Sequence, residues 1–275
     1  MDDLEKRVKA VIEAEHHDIK ALLGIAGLDP AEDLAFLSVG SLDLSGQDLA
    51  QINFEHCDFS KANLSGANLI GANLSAANLK LARLDNANLT SADLNSADLS
   101  KTILSGAVIG GANLRAANLS EANLFRTNLH RADLSEAKLH GTDLRKADLV
   151  GAVFKGANLS AANLSDANLT GANFKGANLS AANLSRANLK FAIFDGANLN
   201  MANLVQSNID RARLVGTNLS EADLIGANLN NANLSAANLY NAKVYQHWVD
   251  ALGLHGRGIA VVDDSDSQSA GDLIA

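Results

Sequence analysis

The chain has 275 residues, of which 47% are apolar but only 4% aromatic, with one Trp and two Tyr, so any core must be built from small and medium aliphatic side chains. The only cysteine is Cys57, which excludes an intrachain disulfide and fits a reducing compartment. The net charge of −9 sits at the ends, −5 over residues 1–40 and −4 over 246–275, while residues 41–245 carry 17 acidic and 17 basic side chains.

The N-terminus shows no secretory pattern and the chain has no apolar run of about 18 residues, so a soluble, cytoplasmic protein is expected. Residues 3–28 place Leu4, Val8, Val11, Ile12, Ile19, Leu22 and Leu23 at roughly helical spacing, with Asp2 or Asp3 as a cap. Asp29-Pro30-Ala31-Glu32 then reads as a second helix start, with proline at the first helical position and an acidic residue behind it. Residues 1–36 are therefore expected to form a helical N-terminal cap.

From Val39 to Val244 every fifth residue is Leu, Ile, Val or Phe without a break in register. Two residues before each lies a column that is Ala from Ala62 to Ala242, except for Thr102, Thr127, Thr142, Ser207 and Thr217. The unit is A-(N/D)-L-x-x. Ala and Leu two apart, with Asn or Asp between, is the alternation of a strand. Ala and Leu point in and Asn points out. A helix fails, because residues five apart drift by about 140° and would spread the leucines around the whole cylinder. The last two positions are mostly Ser, Thr, Lys, Gly, Ala or Arg, with Gly66, Gly71, Gly156, Gly176 and Gly196 among them, so each pentapeptide reads as one short side and one corner.

Residues 156–175 and 176–195 match closely at a shift of twenty, and Phe154, Phe174 and Phe194 are twenty apart. Four pentapeptides therefore make one coil, since a three-sided coil would scatter the phenylalanines. About ten coils at a strand spacing of roughly 4.8 Å give a rod on the order of 50 Å long. The single proline, Pro30, precedes the array, as it should if backbone N–H groups bond from coil to coil. The array over about 39–245 resembles the pentapeptide-repeat family. The resemblance implies an all-β solenoid, a right-handed quadrilateral β-helix, here with a short α-helical N-terminal cap and a short C-terminal capping segment. The expected domains are 1–36, 37–245 and 246–275.

The first coil carries Leu37, Leu42, Gln47, Ile52 and Cys57 in the small-residue column, which suggests a wider mouth that receives the helical cap. At the other end, Tyr245 to Leu254 with Trp248 and Leu252 reads as a short amphipathic cap, and the stretch from Gly256, Asp-, Ser- and Gly-rich apart from Ile259–Val262, is expected to be loose.

No catalytic constellation stands out. His130 and His140 fall on opposite sides of a four-sided coil, Cys57 lies in the inward column, and the Asp and Asn residues recur on every side as part of the repeat. No enzyme activity, cofactor, metal, nucleic acid or membrane partner is expected. The family resemblance implies two readings: a protein-interaction or scaffold module, or a DNA mimic that binds a type II topoisomerase. The second needs a nearly unopposed acidic stripe, whereas one side sets Asp43, Asp85, Asp143, Asp166 and Asp223 against Arg83, Arg126, Arg145, Lys146, Arg186 and Lys243. The first is favoured, with a protein partner of unknown identity. Its candidate surface consists of side chains that break the Asn and Ser pattern: Phe191, Ile193, Met201, Val205, Val215, Ile225, Tyr245 and Trp248, with Phe125, Val150, Val153 and Tyr240 also outward. Val205, Ile225 and Tyr245 share one outward column at twenty-residue steps. That column and Trp248 are expected to join two copies through the C-terminal end or to be closed by the chain's own cap.

Overall fold

The computed structural model describes residues 29, 34–35, 38 and 40–263. The expected N-terminal helices lie outside the described residues. From Ser38 to Lys243 each outward strand residue pairs in parallel with the residue twenty positions on, Asp43 with Asn63, Asn63 with Arg83, and so to Asp223 with Lys243. The coil thus has four sides. Side 1 holds Leu64, side 2 Leu69, side 3 Leu74 and side 4 Leu79, and each recurs every twenty residues.

Backbone accounting explains the pentapeptide. In the unit Ala62 to Gly66, the Ala62 N–H closes the preceding corner on Phe59 O at 3.0 Å, the Asn63 N–H bonds back to Leu42 O at 2.9 Å, and the Leu64 and Gly66 N–H groups bond forward to Arg83 O and Asp85 O at 2.7 and 2.9 Å. The fifth N–H, on Ser65, is taken by Asn63 Oδ1 at 3.2 Å. No amide is left over, as buried backbone requires. Asn or Asp therefore stands in its column for a bond as well as for its outward direction. The Asn carboxamides also form ladders, as in Asn178 to Asn158, Asn198 to Asn178 and Asn218 to Asn198 at 3.3, 3.2 and 3.0 Å.

Each corner turns on its second residue, which has φ between 53° and 69° all along the rod. Positive φ at only the second central residue is the type II pattern, which favours glycine. Most of these corners nevertheless carry an ordinary side chain, among them Leu81, Phe191 and Met201.

The interior is dry. Ala62 to Ala242 and Leu64 to Leu239 are almost all fully buried, and burying each Leu stabilises by about 1.5–3 kcal/mol. Phe154, Phe174 and Phe194 stack with ring centroids 4.8 Å apart and nearly parallel planes, which is the coil spacing. Where the small column holds a hydroxyl, the buried group finds a carbonyl: Thr127 Oγ1 donates to Leu104 O at 2.9 Å and Thr217 Oγ1 to Phe194 O at 2.8 Å. Cys57 is fully buried and its Sγ lies 2.8 Å from Leu34 O. In the first coil Ile52 is buried, whereas Leu42 and Gln47 are half-buried.

The rod is closed at its far end by β1 (Lys243–Tyr245), α1 (Gln246–Ala251) and β2 (Ala260–Val262), with β2 pairing in parallel on β1. The five-residue step continues through the irregular segment, since Val249 and Leu254 are buried and Ile259 packs on the core. Trp248 stands where a backbone amide would bond Ala227 O, and its indole N–H takes that carbonyl at 3.0 Å. The expected loose tail from Gly256 is corrected over 260–262, because the last coil leaves an open edge on side 1 that β2 can pair. Residues 264–275 lie outside the described residues.

Candidate interaction surface

The hydrogen-bonding scheme gives a test for residues kept for something other than the fold. Where Asn or Asp is absent from its column, the amide two residues on loses that acceptor, a net loss of about 1 kcal/mol unless another group replaces it, as Asp195 Oδ1 does for the Val215 N–H at 3.4 Å. Arg83, Ile103, Val108, Lys138, Val153, Ile193, Arg213 and Lys243 stand at such positions. Four of them are apolar, and Ile103 and Val108 are 40% and 37% exposed. A large apolar side chain at a corner is the second kind of departure, because it sits at positive φ, which costs roughly 1 kcal/mol, and stays about half exposed. Leu81, Phe191 and Met201 are of this kind, at 43%, 46% and 58% exposure.

The expected contact residues fall into four places. Phe191 and Ile193 meet at the corner between sides 2 and 3, where Val150 and Val153 lie two coils earlier, and Val215 is on side 3 one coil further on. The Phe191 ring is flanked by Lys190 Nζ and Arg211 Cζ at 5.3 and 5.7 Å from its centroid. Met201 stands at the corner between sides 4 and 1, where Leu81 lies six coils earlier and Tyr240 two coils later. Val205, Ile225 and Tyr245 do form one column on side 1; all are half-buried, and Val262 of β2 continues it beside Tyr245. Trp248 is committed to the cap. Sequence reasoning missed Ile70, Leu81, Ile103 and Val108, all exposed, although the same rule of departure from the repeat would have found them.

The charges are arranged in pairs. Arg186 grips Asp166 through two bonds of 2.7 and 2.9 Å, and Arg145 grips Asp143 at 2.8 and 2.7 Å. Arg213 meets Asp195 at 2.6 Å, Lys190 meets Asp210 at 3.3 Å and Lys243 meets Asp223 at 3.5 Å. The hydrogen bonds from Arg186 hold the Asp166 carboxyl below the usual carboxylate range, and those from Arg145 do the same for Asp143. Among the described residues there is no group of three or more His, Cys, Asp or Glu placed to hold a metal, and no helix long and apolar enough to cross a membrane. His140 Nδ1 lies 2.9 Å from Ser160 Oγ on side 4, with His130 on side 2.

A four-sided parallel coil with a twenty-residue pairing step defines a class of repeat solenoid. The profile of pentapeptide repeats matches residues 42–246 in overlapping copies, and the chain belongs to that family, whose members form right-handed quadrilateral β-helices. Among solved structures it is similar to HetL, a pentapeptide repeat protein involved in heterocyst differentiation regulation from the cyanobacterium Nostoc sp. strain PCC 7120, with 29% identity, coverage of 82% of this chain and 97% of that one, and a TM-score of 0.49. Rfr23 from the cyanobacterium Cyanothece 51142 is 35% identical over 40% of this chain and 58% of its own, with a TM-score of 0.24. QnrB1, a plasmid-mediated fluoroquinolone resistance protein, is 20% identical in a trypsin-treated form, over 83% and 99% of the two chains, with a TM-score of 0.39. No curated protein sequence matches the chain.

Proposed function

We propose that this protein is a non-enzymatic interaction rod of the cytoplasm, and that the corner between sides 2 and 3 around Phe191 and Ile193 holds its protein partner. The observation that carries this reading is the double cost at those positions: Phe191 occupies a left-handed corner at φ 61° while 46% exposed, and Ile193 leaves the turn without its Asn acceptor. Neither side chain serves the core or the turn. Lys190 and Arg211 beside the ring share one carboxylate, Asp210, at 3.3 and 3.9 Å, and the net positive charge that remains favours a partner segment with acidic character. The DNA-mimic reading is disfavoured by the ion pairs above, which neutralise most acidic side chains of the rod's second half. Association of two copies through the Val205, Ile225 and Tyr245 column is a subordinate reading, because Trp248 and Leu254 are already used by the chain's own cap.

The test uses a variant that should be no less stable than its parent. Phe191→Gly places glycine at a positive-φ corner and so relieves strain. Capture of a partner from the native host by the full chain, with loss in this variant, is the expected result. Equal capture by both proteins would remove the corner from the interface.

A further inference from the structure

Side 1 carries a second departure, which rests on the reading of the rod as an interaction module but involves other residues. In the coil at 102–106, small Ser105 and Gly106 lie between two rows of large side chains. Arg83, Asp85 and Asn86 stand one coil before, and Phe125 and Arg126 one coil after. The result is a shallow notch of about 360 Å³ with Ile103 on its flank. At Gly106 a Cβ would come within 2.6 Å of Asn86 Oδ1, so a side chain there would have to displace the Asn86 carboxamide. The fold leaves the gap open.

The chemistry of the notch is that of an anion site with an apolar side. Because Ile103 replaces Asn, the Ser105 N–H bonds to nothing among the described residues, unlike Ser65, whose N–H meets Asn63 Oδ1. Arg126 has no carboxylate partner among the described residues, whereas Arg83, Arg145 and Arg186 each have one. Its guanidinium instead lies 5.2 Å from the centroid of Phe125, with Arg145 at 5.6 Å. The notch thus offers a backbone donor, an unengaged guanidinium, a ring held in a cationic setting and an exposed Ile side chain.

We propose that this notch binds a partner protein segment in which a carboxylate adjoins an apolar side chain. The carboxylate takes the place of the missing Asn oxygen on Ser105 N–H and meets Arg126, while the apolar group lies against Ile103 and Phe125. Charge complementarity selects this occupant, because the Ser105 N–H and Arg126 lack an acceptor among the described residues and the one acid of the notch, Asp85, is bonded by Arg83 and Ser65.

The probe is a fluorescein-labelled, C-terminally amidated peptide alternating Asp with Leu, compared with versions carrying Asn for Asp or Ser for Leu, read by anisotropy against the full chain. The Asp and Leu peptide is expected to bind, and to shift the Ser105 amide resonance. Ile103→Asn restores the repeat's own residue, so it should melt no lower than the parent yet bind about tenfold more weakly; Arg126→Gly should weaken binding similarly. Unchanged affinity in Ile103→Asn, equal binding of the Asn peptide, or no binding at millimolar concentration would each overturn the proposal. Phe191→Gly should keep the peptide affinity, so the corner and the notch can fail separately.

Discussion

The interior coils and the C-terminal end meet the same bonding demand by different means. Within the rod each strand is satisfied by an identical one twenty residues away, and the same Ala, Asn and Leu answer every position. At the end there is no next coil, and unlike groups fill the same positions: an indole N–H for a backbone amide at Ala227, β2 for a strand on side 1, and Val249 and Leu254 for two leucines. The closure is uneven. The Leu229 and Leu234 amides on sides 2 and 3 have no backbone partner among the described residues, and Leu234 is less buried than the leucines before it. A periodic interior thus stabilises itself, whereas its end must be covered side by side.

The largest expected effect lies in the interior. Leu169→Asp sets a carboxylate into a fully buried column, where an unpaired charge costs several kcal/mol; thermal melting should fall steeply or the chain should fail to fold, and an unchanged melting temperature would refute the inward register. Next comes truncation after Tyr245, which strips α1 and β2 and leaves side 1 with an open edge. Light scattering should then show growing end-to-end assemblies while the full chain stays discrete, and a dispersed truncated rod would mean that the cap is dispensable. Trp248→Phe retains the apolar ring but drops the bond to Ala227 O, so urea unfolding should register a loss of about 1 kcal/mol, a cost that no exposed corner residue should match. The smallest effect is electrostatic. Asp166 and Asp143 have folded pKa values below their unfolded ones, so their contribution is present above the unfolded carboxylate range near about pH 4 and disappears as pH falls through the folded values. Both pairs are solvent-exposed, and the contribution is modest. Melting temperature should be flat from neutral pH down to about 5 and drop below about 4, with a smaller drop in Arg186→Gln.

The inward columns, the four-sided coil and the phenylalanine stack were legible in the sequence, because a strict five-residue spacing permits one arrangement of dry and wet faces. Less legible was the Asn column, which the sequence marks as outward but whose oxygen is needed for the one amide that the coil-to-coil ladder and the corner bond leave over. That need follows from the bonding of every N–H from Ala62 to Gly66, which exists only once the chain has wound into coils. The same holds for the notch: Ile103 and Phe125 are 22 positions apart in the chain and look like isolated irregularities until the twenty-residue step stacks them. The C-terminal segment shows the opposite limit. The stretch from Gly256 reads as a loose tail despite the apolar run Ile259–Val262, since a strand of three residues needs a neighbouring edge and no local pattern reports whether one is free. The sequence by itself determined the register and the core of this protein, because burial of Leu and Ala is a per-residue demand repeated without exception. Only the tertiary structure decided which irregular side chains come together and how the end is closed, because both depend on groups one coil apart that meet only after the chain has wound around.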